Sequence, residues 1–271
     1  MKQYNKIYFN GCSHTVGGGL EIPYDNGHAD ATWCVDGYRE IGMDIYWKSE
    51  REVAYPQRIS EELNIKVENH SIQGGSFQRL HRMFYEYFTN NDITDTLFFL
   101  QYPYGLREEF WSTKLNEYFL VNTDVTTDLL LEQIPSTLDE NSTLYEPLKS
   151  HYQNLFNPDC KDFFINEILD FIGIVLFCER QKINLIFTDY KDKNNPFDRL
   201  DKKFKTKIGN LLNQEFEYVN FITHPYTWCL ERDLTITEDL KHIGYSNDHP
   251  SYSGHIKYAQ YVSKKLKEWY K

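Results

Sequence analysis

The sequence lacks a long uninterrupted run of apolar residues, and this absence excludes a membrane-spanning helix, which needs about 18 or more. Its first residues also lack an apolar segment followed by a small-residue cleavage site, so we expect no signal peptide and a cytoplasmic location. Positive charge is also in the minority, with 29 lysines and arginines against 40 aspartates and glutamates. The net charge of −11 at pH 7 disfavours non-specific binding to nucleic acids and to anionic membranes.

Paired cysteines and clustered histidines are missing too. The five cysteines are odd in number and widely spaced, and no two of them form a CxxC pair. This arrangement predicts free thiols in a reducing compartment rather than a disulfide frame or a zinc site. The nine histidines include no HxxxH or HExxH pair, so we expect neither a metal site nor a cofactor.

Strand and helix patterns alternate along the 271 residues. Short apolar runs predict five strands, at residues 6–9, 65–69, 96–101, 183–188 and 218–222. Apolar residues at helical spacing predict helices at about residues 55–63, 77–88, 159–181, 198–213 and 251–270. This alternation implies right-handed crossovers and a three-layer α/β/α fold around a central parallel five-stranded sheet.

Two stretches interrupt the alternation. Residues from about 20 to 50 are rich in glycine, aspartate and aromatic residues, which indicates a long loop at the edge of a site. Residues from about 112 to 157 are acidic and are punctuated by Ile134-Pro135 and Glu146-Pro147, which indicates an irregular, lid-like insertion without its own strands. We therefore expect a single domain over residues 1–271 that carries two insertions.

The first strand leads directly into a glycine-flanked turn that carries one serine, Ser13. A serine placed where a parallel strand gives way to a turn and a helix exposes its hydroxyl at the carboxyl edge of the sheet. The free backbone N–H groups of the turn face the same place. Ser13 is therefore a candidate nucleophile, and the alternative is that residues 11–19 form only a flexible polar loop.

Polar turns follow four of the predicted elements at this same edge. Ser13 follows the first strand, Gly74 the second and Gln101 the third, while residues 247–251 lie between the fifth strand and the last helix. Because parallel strands end at one edge of a sheet, these turns are expected to converge on a ligand site.

Three sequence blocks are similar to those of the SGNH/GDSL hydrolase superfamily, in the same order and at approximately the same spacing along the whole chain. They are residues 11–13 (Gly-Cys-Ser), residues 69–74 with Asn69 and Gly74, and His249-Pro250-Ser251 with Gly254-His255. The Gly-Cys-Ser-His-Thr variant resembles phage- and bacterium-encoded members. The resemblance implies a flavodoxin-like fold and hydrolysis of acyl esters of carbohydrates, lipids or small molecules through an acyl-serine intermediate.

The resemblance also implies roles for individual residues. Ser13 matches the nucleophile and His249 the general base, a task that suits a side chain whose pKa lies near neutrality. The backbone N–H groups of Ser13 and Gly74 match the oxyanion donors, each of which typically lowers the barrier by about 3 kcal/mol. The side-chain amide of Gln101 is a further candidate donor to the oxyanion.

The chain departs from the family pattern at three places. Cys12 replaces the aspartate beside the serine, and residues 101–105 read Gln-Tyr-Pro-Tyr-Gly where the family has Gly-x-Asn-Asp. Ser246 stands where the fourth block has its aspartate, and Asp248 is instead adjacent to the histidine. The base is then oriented by Asp248, by a backbone carbonyl or by a distant acid such as Asp239, or it works in a Ser–His dyad.

Substrate contacts are assigned to three further residues near these turns. His14 flanks the nucleophile, Arg107 can bind an anionic part of a substrate, and Tyr102 can stack on a sugar ring. Scaffold roles are the alternative for His14 and for His70, and a structural role at the start of the last helix is favoured for His255.

We predict a serine esterase that acts on an acyl ester of a small molecule or glycan, without a nucleic-acid or membrane partner and with no prediction of oligomeric state. Three alternatives stay open. An acyltransferase would share every motif, and a catalytically silent glycan- or nucleotide-binding module would explain the altered blocks. A flavodoxin-like phosphate-binding protein would use residues 17–19. Within the esterase, attack by Cys12 is an alternative to attack by Ser13, although buried thiols are usually inert.

Overall fold

The structure, a computed structural model, describes residues 4–17, 54–72, 75–103, 107–112, 117–122, 161–188, 202–212, 214–235, 249–250 and 252–270. The strands in these segments are β1 (Lys6–Asn10), β2 (Lys66–Asn69), β3 (Thr96–Leu100), β4 (Arg107–Ser112), β5 (Glu117–Asn122), β6 (Leu185–Thr188) and β7 (Val219–Ile222). The helices are α1 (Ser13–Val16), α2 (Tyr55–Leu63), α3 (Phe77–Asn90), α4 (Lys161–Gln181), α5 (Lys202–Leu212), α6 (Pro225–Leu230) and α7 (Tyr252–Trp269). The loop predicted at residues 20–50 lies outside the described residues.

Five strands form one sheet in the order β2-β1-β3-β6-β7, and every neighbouring pair is parallel. Counting only the strands of this sheet, the order is 2-1-3-4-5, which is that of flavodoxin-like folds. The strand order reverses between β1 and β3, and ligands of such sheets bind at the carboxyl ends of the strands beside this point. The predicted five-stranded parallel sheet is confirmed.

Helices cover both faces of the sheet. On one face, α3, α4 and α5 pack on Tyr8, Phe98 and Phe187. On the other face, α2, α6 and α7 pack on Phe9 and Phe99. Successive residues of a strand point to opposite faces, so a strand that is covered on both sides needs a continuous apolar run. The predicted three-layer α/β/α fold is thereby confirmed.

Strands β4 and β5 pair in an antiparallel hairpin outside the main sheet, with Arg107 opposite Asn122 and Ser112 opposite Glu117. The sequence predicts an irregular insertion without strands from about residue 112, so strand β5 at the start of this region is a difference. Its physical reason is that each strand has only six residues and gains its stability from the partner strand, a pairing that the sequence pattern does not reveal.

The hairpin is attached to α3 by a charged pair. Arg82 donates to both carboxylate oxygens of Glu109 at 2.8 Å, and the Glu109 backbone N–H donates to Gln78 Oε1, also at 2.8 Å. The region after residue 122 up to residue 160 lies outside the described residues. Among the residues that the structure describes, no helix is both long and apolar enough to cross a membrane.

Candidate active site

Ser13 lies at the point where β1 turns into α1. The strand ends at Asn10, Cys12 has an extended backbone as the N-cap, and Ser13 is the first helical residue. Its N–H therefore has no acceptor within the helix. The short helix ends at Gly17, whose φ of 98° is a left-handed conformation that glycine adopts without strain, and the Gly17 N–H donates to the Ser13 carbonyl at 2.9 Å.

His249 reaches Ser13 from the other end of the chain. Its Nε2 lies 2.8 Å from Ser13 Oγ. The histidine precedes α7, and the next residue, Pro250, forms an antiparallel bridge with Thr235. At the start of α7, a Cβ on Gly254 would lie 2.5 Å from the Leu234 carbonyl oxygen. Only a residue without a side chain allows this close approach, which fixes the segment that presents the imidazole.

The Ser13–His249 contact is a hydrogen bond of the length expected for a hydroxyl that passes its proton to an imidazole. The structure thus brings the predicted nucleophile and the predicted base together. Of the other residues predicted for catalysis, Asp248 and the oxyanion donor Gly74 lie outside the described residues, as does Asp239.

The second glycine turn, which contains Gly75, packs directly against the turn that carries Ser13 (residues 11–17, the serine turn). A Cβ on Gly75 would lie 2.8 Å from the Gly11 carbonyl oxygen and 3.6 Å from Cys12 Cα. Asn69, at the end of β2, donates to the Thr15 carbonyl at 3.4 Å. The two sequence blocks that carry the family resemblance are therefore adjacent in space.

Three imidazole rings surround the serine turn. The His14 ring centroid lies 4.8 Å from that of His249 and 5.2 Å from that of His224, and the ring stacks on Tyr226 at 5.7 Å. His14 is 3% exposed, so its predicted contact with substrate would use little surface in this structure.

Sequence reasoning missed His224. The residue follows β7 and is the N-cap of α6, a short helix that was not predicted either. Burial, assisted by the nearby charge of His14, holds the pKa of His224 well below the ordinary value, so its ring is neutral. The signal that was available is a polar residue at the carboxyl end of a strand, followed by Pro225, which is typical of a helix start.

Gln101 is fully buried behind the serine turn, and both polar atoms of its amide are engaged by the protein. Its Oε1 accepts from the Cys12 N–H at 3.3 Å and from the Thr15 hydroxyl, and its Nε2 lies 2.7 Å from Nε2 of His224. This placement gives the prediction that Gln101 donates to the oxyanion no support, because the amide would first have to give up these partners.

The other two residues predicted to bind substrate differ in what the structure shows. Tyr102 is buried, its ring lies 4.9 Å from that of Phe77, and its hydroxyl donates to buried Glu167 at 2.9 Å. The prediction that Tyr102 stacks on a sugar therefore finds no support, since the side chain belongs to the core. Arg107 opens strand β4, and its side chain lies outside the described residues.

His255 and His70 take scaffold positions. His255 is fully buried, and its Nδ1 accepts the backbone N–H of Tyr55 at 3.1 Å, which satisfies a donor at the start of α2. Burial, then the charges of His14 and Arg58, lower the pKa of His255 to about 3. The His70 ring stacks on Tyr8 with centroids 4.9 Å apart.

Solved structures similar to this one include esterases. They are a carbohydrate esterase (11% identity, TM-score 0.45), a psychrotrophic esterase from Pseudoalteromonas sp. (10%, 0.48) and an acetyl xylan esterase from the rumen bacterium Butyrivibrio proteoclasticus (11%, 0.46). The matches cover 98%, 98% and 99% of this chain and 65%, 98% and 66% of the other chains. The chain thus spans about two thirds of the length of the first and third of these proteins. No protein-family model and no curated protein matches the sequence.

Proposed function

We propose that the chain is a serine esterase that hydrolyses an acyl ester of a small molecule or glycan. One observation carries the proposal: Ser13 Oγ and His249 Nε2 lie 2.8 Å apart at the carboxyl edge of a parallel sheet. That edge is where ligands of this fold bind. A hydroxyl paired with an imidazole is the arrangement that activates a serine for attack on a carbonyl carbon. The similarity of the serine and histidine blocks to SGNH/GDSL hydrolases supports the same reaction.

In the first half of the reaction, His249 Nε2 takes the proton of Ser13 as Oγ bonds to the acyl carbon. The carbonyl oxygen becomes an oxyanion, for which the N–H groups of Ser13 and Gly74 are the proposed donors. The imidazolium then returns the proton to the alkoxide of the leaving alcohol as the ester C–O bond breaks. The products of this half are the free alcohol and an acyl-serine.

In the second half, water replaces the alcohol. His249 takes a proton from water as the water oxygen bonds to the acyl carbon. The tetrahedral intermediate then expels Ser13 Oγ, which regains its proton from the imidazolium. The carboxylic acid leaves and the serine is restored. We propose Asp248 as the group that orients the imidazole, with a Ser–His dyad as the simpler arrangement.

The test is hydrolysis of p-nitrophenyl acetate by the wild type and by the Ser13→Ala and His249→Ala variants. We expect Ser13→Ala to lower kcat/KM by about 10³-fold or more, with circular dichroism unchanged. A Ser13→Ala variant that keeps full activity would exclude Ser13 as the nucleophile. A folded wild type that hydrolyses no ester, across acetyl to octanoyl chains, would exclude the proposed function.

A further inference from the structure

Gln101 extends strand β3 beyond its last residue and stands directly behind the serine turn. Its backbone N–H donates to the Asn10 carbonyl at 2.8 Å, which continues the pairing of β1 with β3 to the point where the turn begins. The side chain is fully buried. The sheet therefore fixes the backbone of Gln101, and hydrogen bonds from its side chain can hold the turn in place.

The side-chain oxygen of Gln101, Oε1, accepts hydrogen bonds from the serine turn on both sides of the nucleophile. It accepts from the Cys12 N–H, which precedes Ser13, and from the Thr15 hydroxyl, which follows it. Because Thr15 donates its own proton to Gln101, the nearby Tyr55 hydroxyl, 3.0 Å away, donates to Thr15. All these groups are buried, so each hydrogen bond would leave an unsatisfied polar group if it were lost.

The Gln101 amide nitrogen contacts both the serine turn and the start of α6. It lies 2.7 Å from Nε2 of His224, which is buried at the start of α6. The same amide nitrogen donates to Cys12 Sγ at 3.2 Å. The contacts of the side-chain oxygen and nitrogen of Gln101 together connect the serine turn to His224, which follows β7.

The glutamine side chain also fills the space beneath the turn. A Cβ on Gly11 would lie 2.7 Å from Gln101 Oε1 and 2.8 Å from Gln101 Cβ. The turn backbone and the glutamine are therefore in direct contact, with no room between them for another side chain. A smaller residue at position 101 would leave a cavity under the nucleophile.

We infer that Gln101 is a positioning residue, which holds the backbone of residues 12–15 so that the Ser13 hydroxyl points at His249. This inference rests on the proposed function and assigns Gln101 a different role from oxyanion binding. In a serine hydrolase, displacing the nucleophile by about 1 Å is enough to lower the rate about 10²-fold. The amide thus supplies the hydrogen bonds that hold the turn, in a chain where Cys12 replaces the family's aspartate.

The test compares Gln101→Met, which keeps the side-chain length but removes both hydrogen-bonding atoms, with the matched control Thr188→Val. The Thr188 hydroxyl is buried at the end of the neighbouring strand and accepts from the Tyr102 N–H at 2.9 Å, and it forms no hydrogen bond with the described residues of the serine turn. Both variants lose buried hydrogen bonds, so a general loss of stability affects both. The readouts are kcat and KM for p-nitrophenyl acetate, and hydrogen exchange of a peptide that covers residues 8–17.

We expect Gln101→Met to lower kcat by about 10- to 100-fold with KM within about twofold, and to speed exchange in residues 12–15. Thr188→Val should change neither. If Gln101→Met leaves kcat within about twofold and exchange unchanged, the inference is wrong. If Gln101→Met does not fold, Thr15→Val removes one of the same hydrogen bonds, and the same two readouts decide.

The design separates this inference from the proposed function. A wild type that hydrolyses no ester overturns the esterase proposal, while exchange in residues 12–15 still shows whether Gln101 holds the turn. A wild type that is active, with a Gln101→Met variant that is equally active and equally protected, overturns only the inference. In a double-mutant cycle, Gln101→Met and Thr15→Val should be non-additive, because they remove opposite ends of one hydrogen bond.

Discussion

His249 Nε2 and Ser13 Oγ lie 2.8 Å apart although 236 positions separate the two residues in the sequence. The fold explains the contact. Ser13 follows β1, beside the point where the strand order reverses. His249 precedes helix α7, which packs against α2 on one face of the sheet. Both side chains therefore reach the same carboxyl edge.

This pair predicts covalent labelling of a single serine by a fluorophosphonate probe. The wild type should gain one adduct at Ser13, and His249→Ala should react about 10²- to 10⁴-fold more slowly because no base accepts the hydroxyl proton. Intact-mass time courses and peptide mapping measure the rate and the site. His81→Ala is the control, since His81 lies on α3 near Asp170, and it should label like the wild type. An adduct on Cys12 would contradict the assignment.

The close approach of Gly75 to Gly11 predicts that a single methyl group displaces the nucleophile turn. In Gly75→Ala the new Cβ would lie 2.8 Å from a backbone oxygen, which can move only if the turn moves. We expect esterase activity to fall at least tenfold and the free energy of unfolding to fall by about 1–3 kcal/mol. Urea denaturation and p-nitrophenyl acetate hydrolysis measure the two effects.

Gly173→Ala is the matched control for that substitution. Gly173 lies within α4, and among the described residues a Cβ there would have no atom within 4 Å outside the backbone of its own helix. Alanine should raise the free energy of unfolding by about 0.5–1 kcal/mol, because it restricts the unfolded chain and favours the helix, with activity unchanged. Equal behaviour of Gly75→Ala and Gly173→Ala would show that the contact at the turn has no importance.

The central strands of the sheet could be predicted from the sequence because they are covered on both faces, whereas the edge strand β2 was indicated by alternation. Residues 97–100 are continuously apolar, and the structure buries all of them, together with Thr96, in β3. Strand β7 is less apolar, with the sequence Val-Asn-Phe-Ile, and the structure buries only its first and last residues. The candidate site residues Ser13 and His249 could be predicted because they lie in sequence blocks that resemble those of SGNH/GDSL hydrolases, and Ser13 also because it follows a strand directly.

The remaining site depends on contacts between residues that are distant in the sequence. Nothing local to Gln101 shows that its amide is engaged by Cys12 and Thr15 on one side and His224 on the other. Tyr102 likewise looks like a loop aromatic until its hydroxyl is seen to contact buried Glu167. Side-chain direction at a strand end depends on the neighbouring elements, which spacing along one chain does not specify.

The Arg82–Glu109 pair predicts how firmly the hairpin is attached to α3. Glu109 is 5% exposed and accepts two hydrogen bonds from Arg82, whereas Glu86, which also contacts Arg82, is 49% exposed. Glu109→Gln should therefore lower the free energy of unfolding by about 1–3 kcal/mol and speed hydrogen exchange in residues 107–122. Glu86→Gln should cost less than about 0.5 kcal/mol, because exposed ion pairs are weak. Equal losses in the two variants would contradict this view of the attachment.

Two buried histidines predict that the fold weakens in mild acid. Burial first, and then the charges of His14 and Arg58, lower the pKa of His255 to about 3, and burial likewise lowers that of His224. In the unfolded chain a histidine has a pKa near about 6.5, so between these values the unfolded state binds a proton that the folded state does not. The stability due to a neutral His255 is therefore complete above about pH 6.5 and is lost as the pH falls toward about 3.

The slope for one such histidine reaches about 1.4 kcal/mol per pH unit. His255→Gln removes the titrating group but keeps an acceptor for the Tyr55 N–H, so its free energy of unfolding should fall less steeply with acid than that of the wild type. Urea denaturation at pH 7.5, 6, 5 and 4.5 gives both slopes, and their difference cancels the contribution of the carboxylates. Identical slopes for His255→Gln and the wild type would mean that His255 takes up its proton as readily in the folded state as in the unfolded chain.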